Sequence, residues 1–223
     1  MEPSPQSNLR SRRYGLLSVM RKPLPNGESK RCLPSRKKSL AQKKPVEEQK
    51  TLLFIDESAF YPLPGVVRTW APRGQTPLLH YPLTRDHLSV ISAVTPEGDL
   101  YLTMQEAAFQ SEGIVAFLDE LQKQISGQLL IVWDGATIHR SKLLKEYLAA
   151  GASSRVHLER LPGYAPELNP DEGVWHYLKS VELGNVCSRD ISHLRQELTS
   201  AVDHLSRKPE IIQACFQQVA YLS

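Results

Sequence analysis

Two apolar runs that each end in an aspartate decide the fold: residues 52–56 read LLFID and residues 129–134 read LLIVWD. Apolar runs of this length are typical of strands that are buried on both faces, as in the parallel part of an α/β sheet. If the two strands lie side by side and parallel, Asp56 and Asp134 project from one sheet edge, where functional groups of open α/β sheets gather. The alternative is that each aspartate only begins a turn or caps the next segment.

A third carboxylate is predicted at the start of a helix, where residues 169–172 read NPDE. Asn169 as N-cap, Pro170 in the first position and two acids after it are typical of a helix start, and that is also the alternative reading of the motif. Successive helix residues diverge by about 100°, so only one acid is expected to face Asp56 and Asp134. We predict that this acid is Glu172, with Asp171 as its competitor.

Carboxylates at the ends of buried strands are costly unless a positive charge neutralises them, and a hard divalent cation neutralises several at once. The sequence therefore predicts a metal-dependent phosphoryl-transfer site made of Asp56, Asp134 and Glu172. Glu57 follows Asp56 and is expected to point to the opposite face of the strand. Whether Glu57 or Asp171 also contacts metal is left open.

Several other side chains near this edge are candidates for secondary roles. His139, on the loop after Asp134, could contact a phosphate or orient an attacking hydroxyl, or be an ordinary loop residue. Trp70, Trp133 and Trp175 are predicted to be core anchors. Cations near the edge in sequence are candidates for phosphate contacts: Arg68, Arg73, Arg140, Lys142, Arg160 and Lys179.

The charge distribution divides the chain near residue 50. Residues 1–50 hold 13 Lys or Arg against 4 Asp or Glu, whereas residues 51–223 hold 14 against 20. The first segment has no sustained apolar period, so we predict a basic, mostly disordered arm that anchors a polyanion. Residues 51–223 are predicted to form one α/β domain.

Cysteine usage and hydropathy indicate a cytoplasmic protein. Cys32, Cys187 and Cys215 are far apart and odd in number, which favours free thiols in a reducing compartment. No apolar run approaches the roughly 18 residues that a membrane span requires.

Periodicity predicts strands first paired as a hairpin and then alternating with helices, which implies a mixed sheet covered by helices. The predicted extended segments are 51–56, 65–71, 88–94, 100–104, 129–133 and 155–160. The predicted helices are 111–125 capped by Ser111, 141–150 capped by Ser141, 170–180, 190–206 and 208–220.

Four ordered motifs resemble the catalytic domain of mariner-like bacterial insertion-sequence transposases, which are DDE recombinases. The motifs are FIDES at 54–58, RTWAPRG at 68–74, VWDGA at 132–136 followed by His139, and LPGYAPELNPDEGVW at 161–175. The resemblance implies a ribonuclease-H-like fold, a mixed five-stranded sheet flanked by helices. It also implies that Asp56, Asp134 and Glu172 are the catalytic, metal-binding triad.

The expected reaction is in-line displacement at a DNA phosphodiester without a covalent protein intermediate, supported by two Mg²⁺ (or Mn²⁺) ions. The expected partners are double-stranded DNA, as element ends and target, and a second copy of the chain, in a nucleoid-associated complex. The possible DNA contacts are Arg68, Arg73, His139, Arg140, Lys142 and Lys179.

Such transposases resemble two-part proteins in which helix-turn-helix modules precede the catalytic domain. A basic, Pro-rich segment of fifty residues is too short for two such modules, so we expect a truncated copy or the second reading frame of an element. Two alternatives stay open: an inactive remnant that only binds DNA or partner transposase, and a ribonuclease-H-like nuclease that acts on RNA–DNA hybrids.

Overall fold

The structure is a computed structural model, and it describes residues 16–17, 50–80, 85–134, 141–163 and 165–219. The strands are β1 (Leu16–Leu17), β2 (Lys50–Phe60), β3 (Leu88–Val94), β4 (Leu100–Gln105), β5 (Gln128–Trp133) and β6 (Val156–Arg160). The α-helices are α1 (Ser111–Gln124), α2 (Lys142–Ala149), α3 (Pro170–Tyr177), α4 (Ile191–Ser206) and α5 (Pro209–Gln218). A π-helical turn, Leu178–Glu182, continues α3.

The strands form one mixed sheet in the order β1-β4-β3-β2-β5-β6. Strands β2, β3 and β4 pair antiparallel as a meander, whereas β2, β5 and β6 pair parallel. The predicted five-stranded mixed sheet is thereby confirmed as β2 to β6, and the two residues of β1 pair antiparallel with the outer edge of β4. The predicted parallel neighbourhood of β2 and β5 is confirmed as well.

Helices cover both faces of the sheet. Successive side chains of β2 and β3 point to opposite faces, so each of these strands contributes to a hydrophobic core on either side. On one face, Phe54 and Val90 join α3, α4 and α5 in the first hydrophobic cluster. On the other face, Ile55 and Ile91 join α1 and α2 in the second cluster. A strand that must bury both faces needs a continuous apolar run, which explains the composition of residues 52–55.

Several local predictions are confirmed and others are wrong. Ser141 caps α2 by accepting from the Leu144 amide at 3.2 Å. The predicted cap of α1 is wrong, since Gln110 occupies the N-cap without a side-chain bond and Ser111 is the first helical residue. Strand β2 extends to Phe60 rather than ending at Asp56, because its pairing with β3 continues to Leu88.

The extended segment predicted at 65–71 is not a strand; only Gly65 forms a bridge, to Gly184. Asn185 holds this segment through Val67, whose amide donates to Oδ1 at 3.0 Å and whose carbonyl accepts from Nδ2 at 3.1 Å. The predicted core role of Trp70 is wrong, since its side chain is 101% exposed. Val66 and Leu78, which are 80% and 79% exposed, also lie outside the core.

Some predictions concern residues that the structure does not describe. The basic arm, with Cys32, lies outside the described residues apart from β1 and Lys50. Cys187 and Cys215 are free thiols, as predicted. Within the ranges that the structure describes, no helix combines the length and apolar character needed to cross a bilayer.

The β3–β4 turn meets α5 so closely that one residue must be glycine. Gly98 has φ +94°, and a Cβ there would lie 2.7 Å from the carbonyl oxygen of Pro209 and 2.9 Å from its Cα. Gly127 has a similar φ of +84° but nothing within 4 Å of an added Cβ. Both positions therefore require the left-handed conformation, and only Gly98 adds a backbone clash.

We expect Gly98→Ala to lower the free energy of unfolding by about 3–4 kcal/mol, because conformational strain and overpacking add. Gly127→Ala is the matched control and is expected to cost about 1 kcal/mol through strain alone. Urea unfolding of both variants measures the difference. Equal losses in the two variants would mean that the β3–β4 turn and α5 do not meet as described.

Candidate active site

Asp56 and Asp134 lie side by side where the parallel pairing of β2 and β5 ends. The last paired residues are Ile55 and Trp133, so the aspartates that follow them occupy neighbouring positions on adjacent strands. Asp134 is exposed, while Asp56 is only partly exposed. The apolar runs before them are buried in the sheet, which fixes both Cα positions and leaves the carboxylates at its edge.

Helix α3 begins beside this pair and brings two further acids to it. The Asn169 side chain caps the helix by accepting from the Asp171 amide at 3.2 Å, and Pro170 is the first helical residue, as the sequence predicts. Glu172 is exposed, whereas Asp171 is fully buried. The two acids therefore face different surroundings, and of the two only Glu172 is open to solvent.

The structure adds a contact that the sequence did not predict. The indole Nε1 of Trp175 donates to Oδ2 of Asp56 at 3.0 Å. Trp175 is 3% exposed, so its predicted role as a core anchor is confirmed, as is that of Trp133 at 2%. The second role of Trp175 is to fix one oxygen of Asp56.

Burial raises the pKa of Asp56 to about 6 from its ordinary 3.8. The hydrogen bonds from Trp175 and the backbone at Glu57 act in the opposite direction, while the negative charges of Glu172 and Asp134 raise the pKa further. A carboxylate that is partly buried among like charges favours its neutral form. Glu172 and Asp134 therefore each lie close enough to Asp56 to act on its ionisation.

Asp171 lies beneath these groups and completes the acidic cluster. Its Oδ1 accepts from the hydroxyl of Ser92 at 2.7 Å, and Ser92 is the cross-strand partner of Asp56. Burial first, and then the charge of Asp56, raise the pKa of Asp171 well above its ordinary value. Ser92, one of two serines among the otherwise apolar residues 88–94, was the sequence signal for this contact.

Lys179 brings a positive charge to the same site. Its Nζ donates to the hydroxyl of Ser58 at 2.7 Å and lies 5.1 Å from the ring centroid of Phe60. Burial lowers the pKa of Lys179, while the charges of Glu172 and Asp56 act to raise it. Lys179, one of the cations predicted near the edge, therefore lies close enough to Glu172 and Asp56 to interact with them electrostatically.

The other predicted cations lie elsewhere or cannot be described. Arg68 and Arg73 are exposed on the segment that follows β2, and Arg160 is exposed at the end of β6. Lys142, at the start of α2, forms an ion pair with Glu146 at 3.4 Å. His139 and Arg140 lie outside the described residues.

The cluster has the chemistry of a cation site but not its closed geometry. Among the residues with described positions, no three His, Cys, Asp or Glu side chains are arranged to hold one metal ion. Glu172 and Asp134 are nevertheless exposed, and each raises the pKa of Asp56. Carboxylate oxygens of this kind are the ligands that Mg²⁺ and Mn²⁺ prefer. The donor types of Asp56, Asp134 and Glu172 therefore suit a hard divalent cation.

Comparison with solved structures shows the same fold in a mariner transposase. The structure described as the Mos1 mariner paired end complex with Mn is similar with a TM-score of 0.54 at 12% identity, covering 89% of this chain and 68% of that one. The Mos1 Strand Transfer Complex gives a TM-score of 0.52 at 13% identity, with the same coverage. These matches confirm the predicted ribonuclease-H-like catalytic fold.

Sequence comparison identifies the family. No curated protein matches the chain in sequence. The family model of the DDE superfamily endonucleases matches residues 51–195, which is more than half of the 223 residues. The matched range includes Asp56, Asp134, Glu172 and Lys179. This protein therefore belongs to the DDE superfamily of endonucleases.

Proposed function

We propose that this protein is a DNA transposase that cuts and joins insertion-sequence DNA, with Asp56, Asp134 and Glu172 as its catalytic triad. The observation that supports this most directly is that Asp134, directly after β5, and Glu172, on α3, both lie near enough to Asp56 on β2 to raise its pKa. A structural role alone gives no reason for gathering like charges at a partly buried edge.

The three carboxylates would hold two Mg²⁺ or Mn²⁺ ions. Two bound ions would activate the attacking water or 3′-hydroxyl and stabilise the leaving oxygen. The similar Mos1 structures include a paired end complex with Mn and one with Mg, which supports a divalent cation here. In this chain, the bond from Trp175 to Oδ2 fixes the orientation of the Asp56 carboxylate.

DNA would approach the same edge. Lys179, beside Glu172 and Asp56, is suited to contact a phosphate next to the reacting one, because Ser58 holds its ammonium group in place. Arg68, Arg73 and Lys142 are exposed and available for backbone contacts farther along the duplex. His139, Arg140 and the basic residues 1–50 are proposed to add contacts of the same kind.

The proposed substrates are double-stranded element ends and target DNA, bound by a homodimer associated with the nucleoid. Related Mos1 structures include a paired-end complex with the left transposon end. Pairing of two ends requires at least two catalytic domains.

Incubation of the full chain with labelled duplex DNA tests the function. We expect nicking in Mn²⁺ or Mg²⁺ and none in EDTA, because the proposed triad acts only through bound cations. Digestion of an RNA–DNA hybrid in preference to duplex DNA would identify a ribonuclease-H-like nuclease instead. A salt-dependent mobility shift without cleavage would identify a protein that only binds DNA or partner transposase.

A further inference from the structure

A buried polar contact joins the first turn of α3 to the centre of the sheet. Ser92 and Asp171 are both 0% exposed, and the Ser92 hydroxyl donates to Oδ1 of Asp171 at 2.7 Å. Ser92 stands opposite Asp56 in the antiparallel pairing of β2 and β3. The contact therefore lies directly beside the carboxylate cluster but is closed to solvent.

A second contact of the same helix lies one turn further on. Trp175 follows Asp171 by four residues, so the two side chains share one face of α3. Trp175 bonds Asp56, while Asp171 bonds Ser92, the cross-strand neighbour of Asp56. Two attachments one turn apart, made to two adjacent strands, fix the rotation of α3 about its own axis.

Glu172 depends on that rotation. It is the next residue after Asp171, and neighbouring side chains on a helix diverge by about 100°. With Asp171 turned into the sheet, Glu172 is exposed and near Asp56. A rotation of the helix would carry Glu172 away from Asp56 and Asp134.

The contact is difficult to explain by stability alone. Val174, Trp175 and Leu178 already bury the inner face of α3 in the first hydrophobic cluster. Oδ2 of Asp171 is buried and has no hydrogen-bond partner. A buried polar atom without a partner destabilises the fold, so an apolar side chain would be the more stable choice at position 171 if packing were its only role.

We propose that Ser92 and Asp171 are positioning residues, which direct Glu172 toward Asp56 and Asp134 by fixing the rotation of α3. This inference rests on the proposed metal-dependent function. Asp171 itself acts through Glu172 and is not a metal ligand. Partners that orient metal ligands typically change metal affinity about 10–100-fold when they are removed.

Four variants of the full chain test the inference, with Mn²⁺ binding followed by electron paramagnetic resonance of the free ion. Ser92→Ala and Asp171→Ala are expected to raise the Mn²⁺ dissociation constant about 10–100-fold. Asp171→Asn keeps an oxygen that accepts from Ser92 and is expected to stay within about twofold of the original chain. Thr95→Val is the matched control, since it removes a buried hydroxyl at the end of β3 that bonds Asp99 instead.

Unfolding of each variant in urea separates positioning from a general structural role. A structural role would lower stability and leave the Mn²⁺ dissociation constant of the folded protein unchanged, which would overturn the inference. Loss of Mn²⁺ binding in Asp171→Asn would also overturn it, because the charge of Asp171 would then be the ligand. If Asp171→Ala does not fold, Ser92→Ala and Asp171→Asn still decide. An original chain that binds no Mn²⁺ contradicts the proposed function itself, and the inference with it.

Discussion

Asp134→Asn is expected to lower the rate of Mn²⁺-dependent DNA nicking at least about 1,000-fold. Asparagine keeps the size of the side chain and removes the charge. Asp134 is exposed at the end of β5, so the replacement leaves the hydrophobic cores untouched. The loss would therefore arise from the chemistry and not from unfolding.

The control for this prediction is an aspartate on the opposite face of the sheet from α3. Asp119 on α1 is 51% exposed and pairs with Lys123 at 2.8 Å. Asp119→Asn is expected to nick DNA at the original rate. If Asp134→Asn and the original chain nick equally fast, the activity belongs to a contaminant or to another site. Single-turnover measurements at saturating Mn²⁺ distinguish a slower reaction from weaker metal binding.

The elements that sequence predicts well are those with a local cause. The apolar runs before Asp56 and Asp134 are long enough to require burial on both faces, so their strand character follows from composition, whereas their parallel pairing was a condition that the fold has met. The start of α3 is predicted for the same reason, because Asn169 and Pro170 satisfy the helix terminus with neighbouring atoms.

The features that sequence misses depend on distant partners. Strand β2 continues past Asp56 because β3 pairs with it as far as Leu88, a pairing that the composition of residues 57–60 does not reveal. Trp70 is a core residue by type, yet in the part of the chain that the structure describes its side chain is fully exposed. Residue type gives a preference for burial, whereas tertiary contacts decide it.

The candidate site likewise has features that the sequence predicts and features that only the fold reveals. Asp56, Asp134 and Glu172 are conspicuous because acids follow apolar runs or open a helix. The hydrogen bonds around these acids cannot be read from the sequence, since Trp175 and Asp56 are 119 positions apart and Ser92 and Asp171 are 79 apart. Lys179 could be named from sequence as a cation near the edge, but its bond to Ser58 required the fold.

The burial of Asp56 beside other carboxylates also predicts that one substitution, Asp56→Asn, will abolish activity and raise stability. Asp56 has a folded-state pKa of about 6, above its ordinary 3.8. Below pH 3.8 both folded and unfolded chains carry the proton. As the pH rises, the unfolded chain ionises first, so stability falls until the folded form has ionised above pH 6. The shift corresponds to about 3 kcal/mol lost across this window.

Asp56→Asn removes that loss, because asparagine cannot ionise and can still accept from Trp175 through its amide oxygen. Without metal, the variant is expected to equal the original chain in stability near pH 4 and to exceed it by about 3 kcal/mol at pH 7.5, while nicking is abolished. Urea unfolding in EDTA from pH 4 to pH 8 measures the difference, with Asp119→Asn as the control that leaves the profile unchanged.

Some pH dependence should persist in Asp56→Asn, since burial also raises the pKa of Asp171. A variant less stable than the original chain at pH 7.5 would mean that Asp56 is well accommodated as an anion, and the reason for recruiting a cation to this edge would be lost.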